Sequence, residues 1–420
     1  MIGLLFGSFG LLLLLGVPIA VSIGLASYLV LSQGHLPPVL IAQRMFAGAD
    51  SFPLVAVPFF ILAGDLLAKG KVSEKLVEFG DAVLGFLRGG LWLVSVAASM
   101  FFAAISGSGA ATTAAVGTPL VPELKKKEYD EATSAALIAA AGTIGVVIPP
   151  SVPMVLYCVI ADQSVARLFL NGFIPGVLMG LSLIGLALVK AYRDNYPRGA
   201  AFSLTNIWRT FKGAFWGLLT PAFILGGIFS GYFTPSEAAV IAVDYSLFVA
   251  VFVYRDLKWK DIYHIIVNSA VTMSVVMFII ATSSILSWVL ANWQIPTLIA
   301  RSILALSQNK YVIIFFIDLI ILIAGVFMET ASALIILTPV FLPLVNQLGV
   351  NLLHFGLLVV VGLAIGMITP PVAINLYVAS TVTGLSLEKI SQAVAPFLLG
   401  LIAVFFLLTY LPLFIPALIL

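Results

Sequence analysis

Charge is what this sequence has least of: 20 Lys and Arg and 18 Asp and Glu in 420 residues, 9% of the chain, against 62% apolar residues. A soluble domain carries roughly 25% charged residues, so a water-soluble enzyme and a disordered chain are both excluded. Cysteine is nearly absent, and the single Cys158 has no internal partner for a disulfide scaffold. With three histidines and a net charge of +2, neither a transition-metal centre nor nucleic-acid binding has support. What is abundant is long apolar runs. About 260 apolar residues, at about 20 per crossing, allow roughly a dozen bilayer spans. The expected class is an all-α polytopic membrane protein without a cofactor. Its start, Met1 to Phe6, lacks the basic region of a signal peptide, and the apolar run to about Leu31 reads as a retained first span.

Several runs are short for a crossing. The stretches 91–105 and 109–121 supply about 15 and 13 residues where about 20 are needed. They are expected to form a re-entrant hairpin, about 89–122, turning at Ser106-Gly107-Ser108-Gly109. A second hairpin, about 311–345, is expected to turn at Met328-Glu329-Thr330. With both in place and the N-terminus in the cytoplasm, sixteen Lys and Arg lie inside and only Arg44, Arg167, Arg301 and Lys310 outside. That bias follows the positive-inside rule and puts the C-terminus on the outer side. Stretches 71–88, 203–213 and 257–267 mix charges with apolar residues and read as amphipathic arms along the cytoplasmic interface.

Two halves of the chain echo each other. Thr118-Pro119 and Thr338-Pro339 follow the two turns at an offset of 220, and the pairs Pro149-Pro150 and Pro370-Pro371 lie 221 apart. A weaker echo pairs Gly16-Val17-Pro18 with Phe233-Thr234-Pro235. The expected division is 1–215, with the first hairpin and a broken helix over 132–162, and 216–420, with the second hairpin and a broken helix over 355–383. An odd number of crossings between the hairpins makes the second half inverted, and inverted repeats with broken helices are the build of a secondary transporter.

Proline inside a helix removes the donor for the carbonyl four residues earlier. Pro149 and Pro150 are therefore expected to release the carbonyls of Gly145 and Val146, and Pro370 and Pro371 those of Gly366 and Met367. Uncapped carbonyls with the hydroxyls of Thr369 and Ser106, and with Gly325 near the second turn, suit a small hard cation, one per repeat. Half-helices expected to begin near Ala110, Ser151, Ala331 and Val372 aim free N–H groups at the midplane, which suits a carboxylate. Ser106, Ser108, Thr112, Ser151, Thr330 and Asn375 supply neutral hydrogen-bonding groups. Glu329, an ionisable group at a turn inside the membrane, is a functional candidate that binds a cation, protonates, or accepts from substrate hydroxyls; the structural alternative is that it caps, as an N-terminal acid, the half-helix that starts beside it. Asp65, Asp244 and Asp318 read as structural.

The runs Ser106 to Thr113, Phe52 to Gly64, Phe233 to Ala239 and Thr369 to Leu376 together resemble the large membrane subunit of tripartite ATP-independent periplasmic (TRAP) transporters. The resemblance extends from about residue 10 to the C-terminus. It implies a bacterial inner-membrane location with the outer side periplasmic, and a small four-span membrane subunit and a periplasmic substrate-binding protein as partners. It also implies a Na+ gradient as driving force, an elevator mechanism, and organic anions such as C4-dicarboxylates, sialic acid or sugar acids as substrates. The site residues it implies are Ser106, Ser151 and Glu329 for substrate, and the first turn with Gly145, and Gly325, Gly366 and Thr369, for cations. Two rivals stand beside it. An intramembrane serine protease would use Ser108, but His35, His264 and His354 lie away from the turn. A channel would need a continuous pore where paired hairpins make a closed site.

Overall fold

In the computed structural model, which describes residues 1–196, 198–199 and 201–414, the regular elements are helices. Eight of the described helices are long and apolar enough to cross a bilayer, and several shorter apolar helices accompany them.

Both helix–turn–helix pairs form, and for local reasons. Helix Gly90–Ser106 is ended by Gly107 at φ 61°, a left-handed position that favours glycine, and Ser108 caps the next helix, Gly109–Lys126, by accepting from Ala111 N at 3.4 Å. In the second hairpin, Lys310–Phe327 gives way to an extended Met328, and Glu329 caps Thr330–Gln347. The outgoing helices run past the apolar stretches, to Lys126 and Gln347, with Pro119, Pro122, Pro339 and Pro343 accommodated inside them. Eighteen residues make about 27 Å, so shortness alone does not distinguish these helices from spans.

Both broken helices form as well. Glu131–Gly142 tightens into a 3-10 turn, Thr143–Val146, stops before Pro149, and resumes as Val152–Ala161 under a Ser151 cap. Leu352–Gly366 stops before Pro370 and resumes as Ile374–Thr383. This last start lies two residues beyond Val372, because Ala373 adopts φ 40° before the chain can turn helical.

Three expectations need correction. The first span is not continuous: Ile2–Leu14 and Ile19–Gln33 are separate helices packed together, divided where Gly16 takes φ 78° and Pro18 caps the second helix. The arms at 203–213 and 257–267 are the first turns of long helices, Leu204–Phe229 and Trp259–Asn292, since nothing in either sequence stops the helix at the interface. Only 71–88 forms a separate arm, Val72–Leu84. The last apolar run is described to Phe414. Residues 415–420, and with them the expected periplasmic C-terminus, lie outside the described residues.

Packing sorts the helices into two groups. The first hairpin packs on the first broken helix and on Ile374–Thr383, while Lys310–Phe327 packs on Leu352–Gly366. Trp92, fully buried, ties the hairpin base to the broken helix by donating from Nε1 to Ser134 Oγ at 2.8 Å, within a ring cluster with Tyr129 and Tyr196. Around this body, Phe52–Lys69 packs on Pro235–Phe248, and Trp259–Asn292 on Val39–Ala49 and Ile19–Gln33.

Candidate functional site

The two turns and the two breaks, far apart in sequence, meet at one cavity of about 400 Å³. Its wall includes Ser106 and Ser108 from the first turn, Glu329 and Thr330 from the second, Val146 beside the first break, and Met367 beside the second. Gly64, Asp65 and Thr272 close it from Phe52–Lys69 and Trp259–Asn292.

Glycine lets these backbones approach. A Cβ on Gly64 would come within 2.9 Å of Ser106 Cα, and one on Gly145 within 2.6 Å of the Ser108 carbonyl oxygen. In the second half, a Cβ on Gly325 would lie 3.2 Å from the Cα of Gly366. The first turn is internally bonded: Ser106 Oγ and Thr112 Oγ1 share a hydrogen bond of 2.9 Å, and Thr112 Oγ1 lies 2.8 Å from the Ser108 carbonyl. At the second turn, Glu329 Oε2 accepts from Ser332 N at 3.1 Å and lies 3.4 Å from Ser332 Oγ. Thr330 Oγ1, on a residue only 3% exposed, has no hydrogen-bond partner.

Not every expected residue reaches the wall. Thr112 is buried behind the turn it stabilises. Ser151 donates to the Val146 carbonyl at 2.5 Å and caps Met154 N at 3.3 Å, so its hydroxyl holds the break together. Asn375 is buried between the broken helices and donates to the Ala139 carbonyl at 3.2 Å. The released carbonyls are also less bare than expected. Ser151 answers Val146, Thr369 N answers Gly366 at 3.0 Å, and Asn375 N answers Met367 at 2.9 Å. Local groups rescue these carbonyls, as a buried backbone demands, while each carbonyl oxygen keeps a second lone pair. Thr369 Oγ1 donates to the Ile365 carbonyl at 3.0 Å.

Asp65 is the wall residue that sequence reasoning set aside. Its Oδ2 accepts from Ser269 Oγ at 2.6 Å, which links Phe52–Lys69 to Trp259–Asn292. An acid within an otherwise apolar span was the available signal. Asp244 is exposed, and Asp318 is buried at 1% exposure beside Thr409. None of the histidines lines the cavity. A second cavity, of about 930 Å³, shares Asp65 and Ala111 with the first and runs to Lys69, Glu123 and Lys127, at the end read as cytoplasmic.

A family model described as the DctM component of the tripartite ATP-independent periplasmic transporter matches residues 6–414. The chain belongs to the DctM family. A relative in Oleidesulfovibrio alaskensis, named isethionate TRAP transporter permease protein DctMQ, is 41% identical over 414 residues, which take in 97% of this chain and 65% of that one. This chain therefore spans a little under two thirds of that relative's length. The C4-dicarboxylate TRAP transporter large permease protein DctM of Pseudomonas aeruginosa is 39% identical over 372 residues, 89% of this chain and 87% of the relative. A crystal structure described as the Alcanivorax borkumensis YdaH transporter, with an unusual topology, superposes with a TM-score of 0.61 at 15% identity, covering 90% of this chain and 88% of that one. That likeness is one of fold alone. Membership of DctM makes the chain a multi-pass transport protein, and the serine-protease reading falls with it.

Proposed function

We propose that this DctM chain is the permease of a Na+-coupled uptake system for small organic acids. It would work with a small four-span membrane subunit and a periplasmic substrate-binding protein in the bacterial inner membrane. One observation carries the reading: both hairpin turns and both helix breaks converge on a single cavity of about 400 Å³. A volume of that order suits a small ligand. Helices begin at Gly109 and Val152 on its wall, and the positive ends of helices suit a carboxylate or sulfonate. The names of the relatives cover both classes, isethionate in one and C4-dicarboxylate in the other.

Oxygen ligands on either side suit Na+. Ser106 with the backbone of Gly145 and Val146 would hold one ion, and the backbone of Gly325, Gly366 and Met367 with Thr369 Oγ1 a second. Ser106, Ser108, Glu329 and Thr330 are the proposed substrate contacts. Thr112, Ser151 and Asn375 would hold the turn and the breaks in shape behind them. In the elevator reading, hairpins and broken helices slide as one body past Phe52–Lys69 and Trp259–Asn292. The larger cavity then serves as the exit toward the cytoplasm, making this an inward-open arrangement. The test is uptake of labelled acid into proteoliposomes carrying the chain and its two partners. Uptake is expected only with external Na+ and binding protein together, and full uptake in Na+-free buffer would overturn the coupling.

A further inference from the structure

The two hairpin turns are equivalent by position but opposite in chemistry. Ser108 and Glu329 lie 221 residues apart, the same offset as Pro149 and Pro370, and each caps the outgoing helix of its hairpin. At the first turn the cap is a neutral hydroxyl, so the positive end of helix Gly109–Lys126 remains open to an anion. At the second turn the helix carries its own anion. The Glu329 carboxylate lies 3.1 Å from Ser332 N while remaining exposed, and it lines the cavity. Asp65 adds a second carboxylate to the same wall, with Lys69 near it in the adjoining cavity, while no Lys, Arg or His lines this one among the described residues. Next to Glu329, Thr330 lines the same cavity, and its hydroxyl is buried and unpartnered.

We infer that the cavity selects acids with a single negative group, bound at the first turn, whose opposite end offers hydroxyl donors to Glu329 and Thr330, and that Glu329 excludes a second carboxylate there. This rests on the transport reading above and names the substrate class within it. A hydroxyl donating to a carboxylate makes a charge-assisted bond, whereas a second carboxylate would meet like charge with no cationic side chain to offset it. Replacing the second carboxylate by a hydroxyl thus converts repulsion into a bond.

Matched pairs of acids test it. The purified full chain, in Na+ buffer, is titrated with 4-hydroxybutyrate against succinate and with gluconate against glucarate, following its melting temperature. Half-maximal stabilisation is expected at concentrations about tenfold lower for the singly charged member of each pair, a difference of about 1.4 kcal/mol. Glu329→Gln keeps an acceptor for Ser332 but removes the charge, and is expected to close most of that gap by improving succinate and glucarate. Equal or tighter binding of the dianions by the wild-type chain overturns the inference even if the variant fails to fold. So does an E329Q variant that binds with an unchanged ratio. If no acid of either class stabilises the chain in Na+, the organic-acid site itself is overturned, and the selection with it.

Discussion

Single residues decide whether the two backbones can meet. Gly366 faces Gly325 so closely that an added methyl would overlap the Gly325 carbonyl. The overlap is with backbone, which cannot swing aside as a side chain can. Gly366→Ala is therefore expected to destabilise the chain by about 1–3 kcal/mol, as overpacking does, and to abolish Na+-dependent uptake, read in proteoliposomes beside a thermal melt. Ser151→Ala should behave differently. Its hydroxyl caps a helix and answers one carbonyl, so a loss of about 1 kcal/mol is expected, with uptake reduced in proportion to folded protein. Uptake abolished at unchanged stability would return Ser151 to the substrate-contact role. This contrast shows where sequence reasoning reached its limit: Ser106, Ser108, Glu329 and Thr330 reach the cavity, but nothing in a sequence tells which way a hydroxyl at a break points. Asp65 was passed over because its partner, Ser269, lies 204 positions away.

Elements were more legible than side chains wherever the chain carries a stop. Gly107 and the two Pro-Pro pairs end helices by backbone geometry alone, so both turns and both helix breaks stand where the sequence puts them. Where the sequence carries no such stop, boundaries drifted. Trp259–Asn292 runs 34 residues, about 51 Å, through what had read as an arm and a span. The short break after Leu14 does carry a stop, Gly16 and Pro18, but one embedded in a long apolar run that reads as a single span. The base of the first hairpin depends on one anchor. Trp92→Ala removes a fully buried ring and its bond to Ser134, an expected loss of about 3–5 kcal/mol. A melting temperature within a degree or so of the parent would show that the ring cluster does not hold hairpin and broken helix together.

For the whole molecule, four separate chain discontinuities meet at one cavity. The offset near 220 was visible in the Pro-Pro pairs, and so was the expectation of a shared site. The scaffold wall was not visible, since Phe52–Lys69 and Trp259–Asn292 show no motif for facing a cavity. The large passage beside Asp65 was equally silent, being made by the distance between elements and not by any residue type. The convergence of the two turns on one cavity can be measured directly, because the native Cys158 is buried and 2% exposed. A Ser108→Cys, Glu329→Cys double variant, treated in membranes with a short bismaleimide, is expected to be cross-linked within one chain, with either single variant only labelled. If both thiols are labelled but never joined, the turns do not share a cavity and the proposed transport site is wrong.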